Sequence, residues 1–143
     1  MAVRFVPICA IALVLGASGC GGSKSSSGTT GASSGSNLVT KVQHASAQVE
    51  GKSVVASVKV TEGGKTGEHL TLRWGLVDAV SGVRASESEV LAAKYTTTSS
   101  VETKEVTIHF PKPTPTDYLV HFALYGSDGS YLASSDTDVF TVH

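Results

Sequence analysis

HLTLRWGL, His69 to Leu76, decides the fold. Leu70, Leu72, Trp74 and Leu76 fall on one side of an extended chain, and His69, Thr71 and Arg73 fall on the other. Strict alternation of this kind is the mark of a strand with one buried face, because successive side chains of a strand point in opposite directions. The same period recurs along the chain. In SVVASVKV, Val54, Ala56, Val58 and Val60 share a face opposite Ser53, Ser57 and Lys59. In KEVTIHF, Val106, Ile108 and Phe110 oppose Thr107 and His109. In DYLVHFALY, Tyr118, Val120, Phe122 and Leu124 alternate with Leu119, His121, Ala123 and Tyr125.

Turn chemistry bounds these runs: Glu62-Gly-Gly-Lys65, the proline-rich Pro111 to Pro115, and Gly126-Ser-Asp-Gly129. A first strand within Leu38–Val49 and a last within Asp138–Val142 complete the set. SESEVLAAKY, Ser86 to Tyr95, carries helix formers and is expected as a strand-like or irregular crossover with a single helical turn. About seven short strands with evenly spaced turns predict an all-β fold, a two-sheet antiparallel sandwich over residues 37–143. That length suits one domain and is too short for two.

The chain begins differently. MAVRFVPICAIALVLGASGC has one charge, Arg4, then an apolar stretch from Phe5 to Leu15, then small residues. This is the layout of a secretory signal peptide, and it is shorter than the roughly 20 apolar residues that span a bilayer. Ala17-Ser18-Gly19-Cys20 resembles the lipobox of bacterial lipoproteins. The resemblance implies a diacylglycerol thioether on the Cys20 sulfur and cleavage between Gly19 and Cys20, which would define residues 1–19 as a signal peptide. Ala17 departs from the leucine usual at its position, and Gly21 is not the aspartate that marks inner-membrane retention. Two or three acyl chains give stable anchoring where one does not. With Cys9 lost in the signal and Cys20 alkylated, no intrachain disulfide remains.

From Gly21 to Ser36 the sequence is GGSKSSSGTTGASSGS. It lacks the apolar surface needed to offset ordering entropy and reads, together with the lipidated Cys20, as a Gly/Ser linker over residues 20–36. Gly31-Ala-Ser33-Ser-Gly35 matches the nucleophile elbow of serine hydrolases, but the strand and helix that the elbow requires are not encoded around it. Glu62-Gly-Gly-Lys-Thr66 lacks the first glycine of a P-loop and reads as a hairpin turn.

Trp74 on the third strand and Tyr118 at the start of the penultimate one resemble the immunoglobulin-like fold, with its core tryptophan and tyrosine corner. The resemblance places Val120, Val58 and Val60 where antibody domains carry their disulfide. TDYLVHFALYGSDG is also similar to the closing hairpin of fibronectin type III modules. Sandwiches of both kinds host many functions, so neither resemblance names one.

The chain has eleven Lys and Arg, ten once Arg4 leaves, against twelve Asp and Glu. This acidic balance argues against nucleic acid, which wants a basic face. His44, His69, His109, His121 and His143 form no metal-binding pair in sequence, although His69 and His121 lie on strands expected to be neighbours. Asp117, Asp128, Asp136 and Asp138 gather near the end without the spacing of a calcium loop. No metal and no cofactor is implied. The candidate working surface is the outer face of the third and sixth strands, with His69, Arg73, Leu119, His121 and Tyr125; Tyr and Arg suit interfaces because they join large contact area to polar ends.

The expectation is therefore a bacterial lipoprotein, not an enzyme, held at the cell membrane through Cys20 and facing outside the cytoplasm. Its Ig-like domain is expected to bind a protein or cell-envelope component without catalysis. The rival readings are an envelope enzyme or metal-handling protein using His69, His121 or the C-terminal acids, and a structural spacer.

Overall fold

A computed structural model describes residues 37–85 and 89–143. The expected signal peptide, Cys20 and linker lie outside the described residues, as does the Ser86–Ser88 part of the ambiguous crossover. Eight strands follow in order: β1 Val39–Glu50, β2 Ser53–Gly63, β3 His69–Asp78, β4 Val90–Thr96, β5 Glu102–Pro111, β6 Asp117–Tyr125, β7 Tyr131–Asp136 and β8 Phe140–Thr141. All pairings are antiparallel. One sheet runs β1-β2-β5, and the other runs β4-β3-β6-β7 with β8 paired to the start of β6. The chain is an all-β, two-sheet sandwich.

The alternating runs explain the layers. Val54, Ala56, Val58 and Val60 of β2 are fully buried, and they face Leu70, Leu72 and Leu76 of β3 and Val120, Phe122 and Leu124 of β6. Each such aliphatic or aromatic side chain contributes roughly 1.5–3 kcal/mol by leaving water. Phe122 is the largest side chain that is wholly enclosed. Trp74 is partly buried and packs against this core, stacked on Phe110 of the opposite sheet with ring centroids 4.8 Å apart. Tyr118 is buried, and its hydroxyl lies 3.0 Å from Thr114 Oγ1 in the proline-rich crossover.

The end of the chain corrects the sequence reading. The strand expected over Asp138–Val142 is only the two-residue β8, and the main closing strand is β7, which was not anticipated. YLASSD carries few apolar side chains because β7 pairs with β6 on one side only and leaves much of itself exposed. Thr137 then continues the ladder. Its N–H donates to the Val120 carbonyl at 3.0 Å, and its Oγ1 accepts from the Val120 N–H at 3.0 Å. Ser86–Tyr95 resolves in its described part as β4, a strand beside β3.

One polar group enters the space between the sheets. The Glu62 side chain is only 3% exposed, and its Oε1 accepts from Lys104 Nζ at 2.7 Å. Lys104 also reaches Glu102 Oε2 at 3.3 Å and lies 5.6 Å from the centre of the Tyr95 ring, tying β5 to β4 across the sandwich. Among the described residues, Glu62 Oε2 and the Tyr95 hydroxyl are buried without a hydrogen-bond partner. The bond to Glu62 holds the Lys104 ammonium above the usual lysine range, and burial raises the Tyr95 phenol.

Removing the cation would leave a desolvated carboxylate. Loss of one partner of a fully buried pair costs about 3–5 kcal/mol. Because Lys104 is 44% exposed, solvent screening reduces the expectation for Lys104→Met to about 1–3 kcal/mol in urea unfolding. A raised lysine pKa means the pair stabilises the fold fully below the lysine's unfolded value and loses that contribution as pH rises through the folded one. The wild-type chain should therefore lose stability above pH 10.5 more steeply than the variant. Equal stability of the two proteins at neutral pH would show that Glu62 is compensated by another group.

Candidate functional site

The β3–β6 register sets the outer face of the larger sheet. Thr71 pairs with Tyr125, Arg73 with Ala123, Gly75 with His121 and Val77 with Leu119. On the other side of β3, Lys94 pairs with Thr71 and Thr96 with His69; a bulge in β4 then brings Leu91 opposite Arg73. All of these residues are in phase with the outward side of their strands. At the end of the sheet beside the β6–β7 turn this face carries a groove of about 840 Å³. His69, Thr71, Arg73, Lys94, Thr96 and Tyr125 line it, with Gly126, Ser127 and Gly129 at its rim.

The side chains are held in place. The Arg73 guanidinium lies 5.9 Å from the centre of the Tyr125 ring, and Tyr131 meets that ring edge-on at 6.3 Å. His69 Nδ1 is 3.2 Å from Thr96 Oγ1. The rim is a tight turn: Gly126 N–H donates to the Ser130 carbonyl at 2.9 Å, and Gly129, at φ 82°, donates to the Gly126 carbonyl at 3.0 Å. A left-handed conformation like that of Gly129 strains any residue with a Cβ. Asp128 Oδ1 accepts from the Ser130 hydroxyl at 2.6 Å and from its N–H at 2.9 Å, and these bonds hold the Asp128 carboxyl below the usual range.

Glu89 supplies the inner wall. Its side chain is only 7% exposed, and its Oε1 lies 3.1 Å from Arg84 Nη2. The approach is off the hydrogen-bond direction, so that oxygen has no aligned donor among the described residues. A Cβ built on Gly75 would lie 3.7 Å from Glu89 Cγ, so the acid's stem runs over the glycine. The Tyr125 phenol is raised, first by burial and then by the nearby Glu89 carboxylate.

The expected surface thus divides. His69, Arg73 and Tyr125 come together in the groove. Leu119 and His121 share the sheet face but lie outside it, and His121 Nδ1 instead meets Asp136 Oδ1 at 2.6 Å. His121 sits opposite Gly75, six residues along β3 from His69, which is roughly 20 Å at a strand's rise. The two histidines therefore share no site. The C-terminal acids are also dispersed: Asp117 accepts from Thr141 Oγ1 at 2.7 Å, Asp128 is held in its turn, and Asp136 pairs with His121. Among the described residues no three His, Cys, Asp or Glu side chains converge as metal ligands.

Glu89, Lys94, Thr71 and Thr96 complete the groove and were not singled out from sequence. Lys94 and Thr96 alternate with the inward Ala93 and Tyr95, a signal that the helix formers around them obscured. Glu89 carried no such signal, because only the fold places it over Gly75.

No protein-family model and no curated protein sequence matches the chain. Solved structures match distantly. An alkylpurine DNA glycosylase, AlkC, from Pseudomonas fluorescens aligns with 68% of this chain and 29% of its own, at 13% identity and a TM-score of 0.48. A β-glucosidase from Kluyveromyces marxianus aligns with 76% of this chain and 14% of its own, at 16% identity and a TM-score of 0.46. The β-glucosidase 3B of Thermotoga neapolitana aligns with 74% and 16%, at 10% identity and a TM-score of 0.46. The chain thus corresponds to less than a third of each of these proteins.

The coupling between Glu89 and Tyr125 is directly measurable. Replacing the carboxylate in Glu89→Gln should bring the Tyr125 phenol part of the way down toward the usual tyrosine value, since burial remains. Ultraviolet titration of each protein, with the corresponding Tyr125→Phe protein subtracted, isolates that phenol. An unchanged Tyr125 titration in Glu89→Gln would show that burial alone raises it.

Proposed function

We propose that the chain is a lipid-anchored envelope lipoprotein whose sandwich is a non-catalytic binding module. In this reading the groove around Arg73 and Tyr125 is its contact surface for a protein or envelope component. The observation that carries the reading is the groove itself: a concave site on an outer sheet face, walled by an arginine and a tyrosine, built on rigid paired strands. Arg and Tyr dominate binding surfaces because each joins broad contact area to a directed polar end.

The rest of the reading comes from the N-terminal sequence. The lipobox-like Ala17-Ser18-Gly19-Cys20 supplies the anchor, and the sixteen residues Gly21 to Ser36 supply a tether with a random-coil span of about 20–24 Å. Asn37 packs against the β2–β3 turn, where a Cβ on Gly64 would fall 2.3 Å from its carbonyl oxygen. Tethering raises the effective concentration of a weak binder near membrane-bound partners.

The domain is read as immunoglobulin-like or fibronectin type III-like. The Tyr118 hydroxyl reaches back four residues, as in a tyrosine corner, though to the Thr114 side chain rather than to backbone. The placement of β4 beside β3 departs from the constant-type immunoglobulin arrangement, in which the fourth strand joins the first two.

Two experiments test the proposal. Cys20→Ser should abolish incorporation of tritiated palmitate and release the chain from the membrane fraction; retention of label would place the acyl group elsewhere. Photo-crosslinking in native membranes, with the probe at Tyr125 and a control at Lys59 on the opposite sheet, should capture a discrete partner from Tyr125 only. Equal capture from both positions, or none from either, would remove the groove as the contact surface.

A further inference from the structure

Counting charges around the groove gives a result that its shape alone does not. Three described acids lie close to the groove, and each has a neighbour of its own. Glu89 is buried against Arg84 and Tyr125. Glu68 Oε1 is 2.6 Å from Lys65 Nζ. Asp128 is turned into its own turn by Ser130. Arg73 and Lys94, in contrast, have no acidic partner among the described residues, although both are exposed and both line the groove.

Their placement concentrates that excess. Lys94 is opposite Thr71 in the β3–β4 register, and Arg73 is two residues further along β3 on the same face. Both long side chains line the same groove, with Thr71 between them. Like charges facing one space repel, and an anion between them relieves the repulsion. The Arg73 fork is steadied over Tyr125 and the Lys94 ammonium acts as a point charge, a combination suited to phosphate oxygens. The Thr71 and Thr96 hydroxyls and the His69 ring add donors from two strands. A carboxylate presents its two oxygens in one plane, whereas a phosphate, in a monoester or a diester, sets its oxygens around a tetrahedral centre that donors can approach from several sides.

We propose that the groove is an anion site that takes a phosphate-bearing ligand, held between Arg73 and Lys94. The inference rests on the binding-module reading and specifies the chemistry of its site. About 840 Å³ is far more than a phosphate fills and falls in the range of sites for organic molecules, so the phosphate is the charged end of a larger ligand. Leu91, half exposed and opposite Arg73 on β4, offers that remainder an apolar neighbour. The phosphate can belong to a lipid headgroup or to a soluble ester, and the two are separable by experiment.

The test is amide NMR of the full chain in nonionic detergent micelles. Inorganic phosphate is titrated against sodium chloride of matched ionic strength, and phosphatidylglycerol is doped into the micelles against phosphatidylcholine. Saturable shifts at Thr71, Arg73 and Lys94 beyond those in the chloride control are expected. Arg73→Gln with Lys94→Gln should weaken the response about tenfold or more, the size of one good charged contact. Lys94→Gln alone should weaken it less and leaves the Arg73–Tyr125 packing intact, and Lys59→Gln should not change it. Stronger shifts with phosphatidylglycerol than with phosphatidylcholine assign the phosphate to a lipid; saturation by inorganic phosphate without a phosphatidylglycerol effect assigns it to a soluble ester. If neither moves the groove beyond its control, the inference is wrong. A partner captured from Tyr125 would then still leave the binding-module reading standing.

Discussion

The pairing of β3 with β6 is the constraint on which the rest of the molecule depends. These strands lie at the centre of the larger sheet, and their register fixes two surfaces at once. Inward, it sets Leu70, Leu72 and Leu76 beside Val120, Phe122 and Leu124 to meet the valines of β2. Outward, it sets Thr71 beside Tyr125 and Arg73 beside Ala123. A slip of one residue would exchange the two faces of a strand, sending leucines to water and Arg73 into the core. Burial of the inner face therefore specifies the geometry of the outer one. The groove inherits its precision from the hydrophobic core.

The polar group between the sheets shows a different logic. Glu62 contributes little net stability where it lies, because desolvating a carboxylate consumes most of what its ion pair returns. Its effect is positional. Lys104 is bonded to Glu62 and held over the Tyr95 ring, so β5 and β4 are tied at the edge where the two sheets otherwise have few side chains in common. Trp74 stacked on Phe110 closes another part of the same flank. Since β4 carries Lys94 and Thr96, this flank also steadies one wall of the groove from the opposite side of the strand.

Strands with a buried face were legible because burial imposes a period on their residues. In β2, β3 and β6 an unbroken stripe of apolar residues follows that period, even though Val55, Val77 and Leu119 lie on the other face. β7 was not legible: a half-buried edge strand needs few apolar side chains, so YLASSD offers only Leu132 and Ala133 to the core and bears no stripe. The outer face was legible in part. Arg73, His69 and Tyr125 could be placed together once β3 and β6 were taken as neighbours, but the register that moves His121 and Leu119 away from them is a matter of turn lengths and bulges. The crossover into β4 was harder still, because its residues suit a helix locally and are overruled by pairing with β3. Glu89 belongs to that crossover, so its role emerges only from the tertiary structure.

The groove also accounts for two residues that would otherwise be out of place. Gly75 and Ala123 lie on the outward side of central strands, where larger polar side chains are the rule, and yet both are buried. Small side chains leave depth on a face that larger ones would fill. At Gly75 that depth admits the stem of Glu89; opposite Arg73, Ala123 lets the guanidinium settle toward Tyr125. Glu89 lies against Arg84, and the other cation, Lys94, faces the groove from β4. A pair of small residues thus lets a buried acid be sequestered at the edge of the groove while two cations stay open to solvent. An anion-binding surface on a mildly acidic chain needs that separation, because mobile acids nearby would otherwise compete for the same cations.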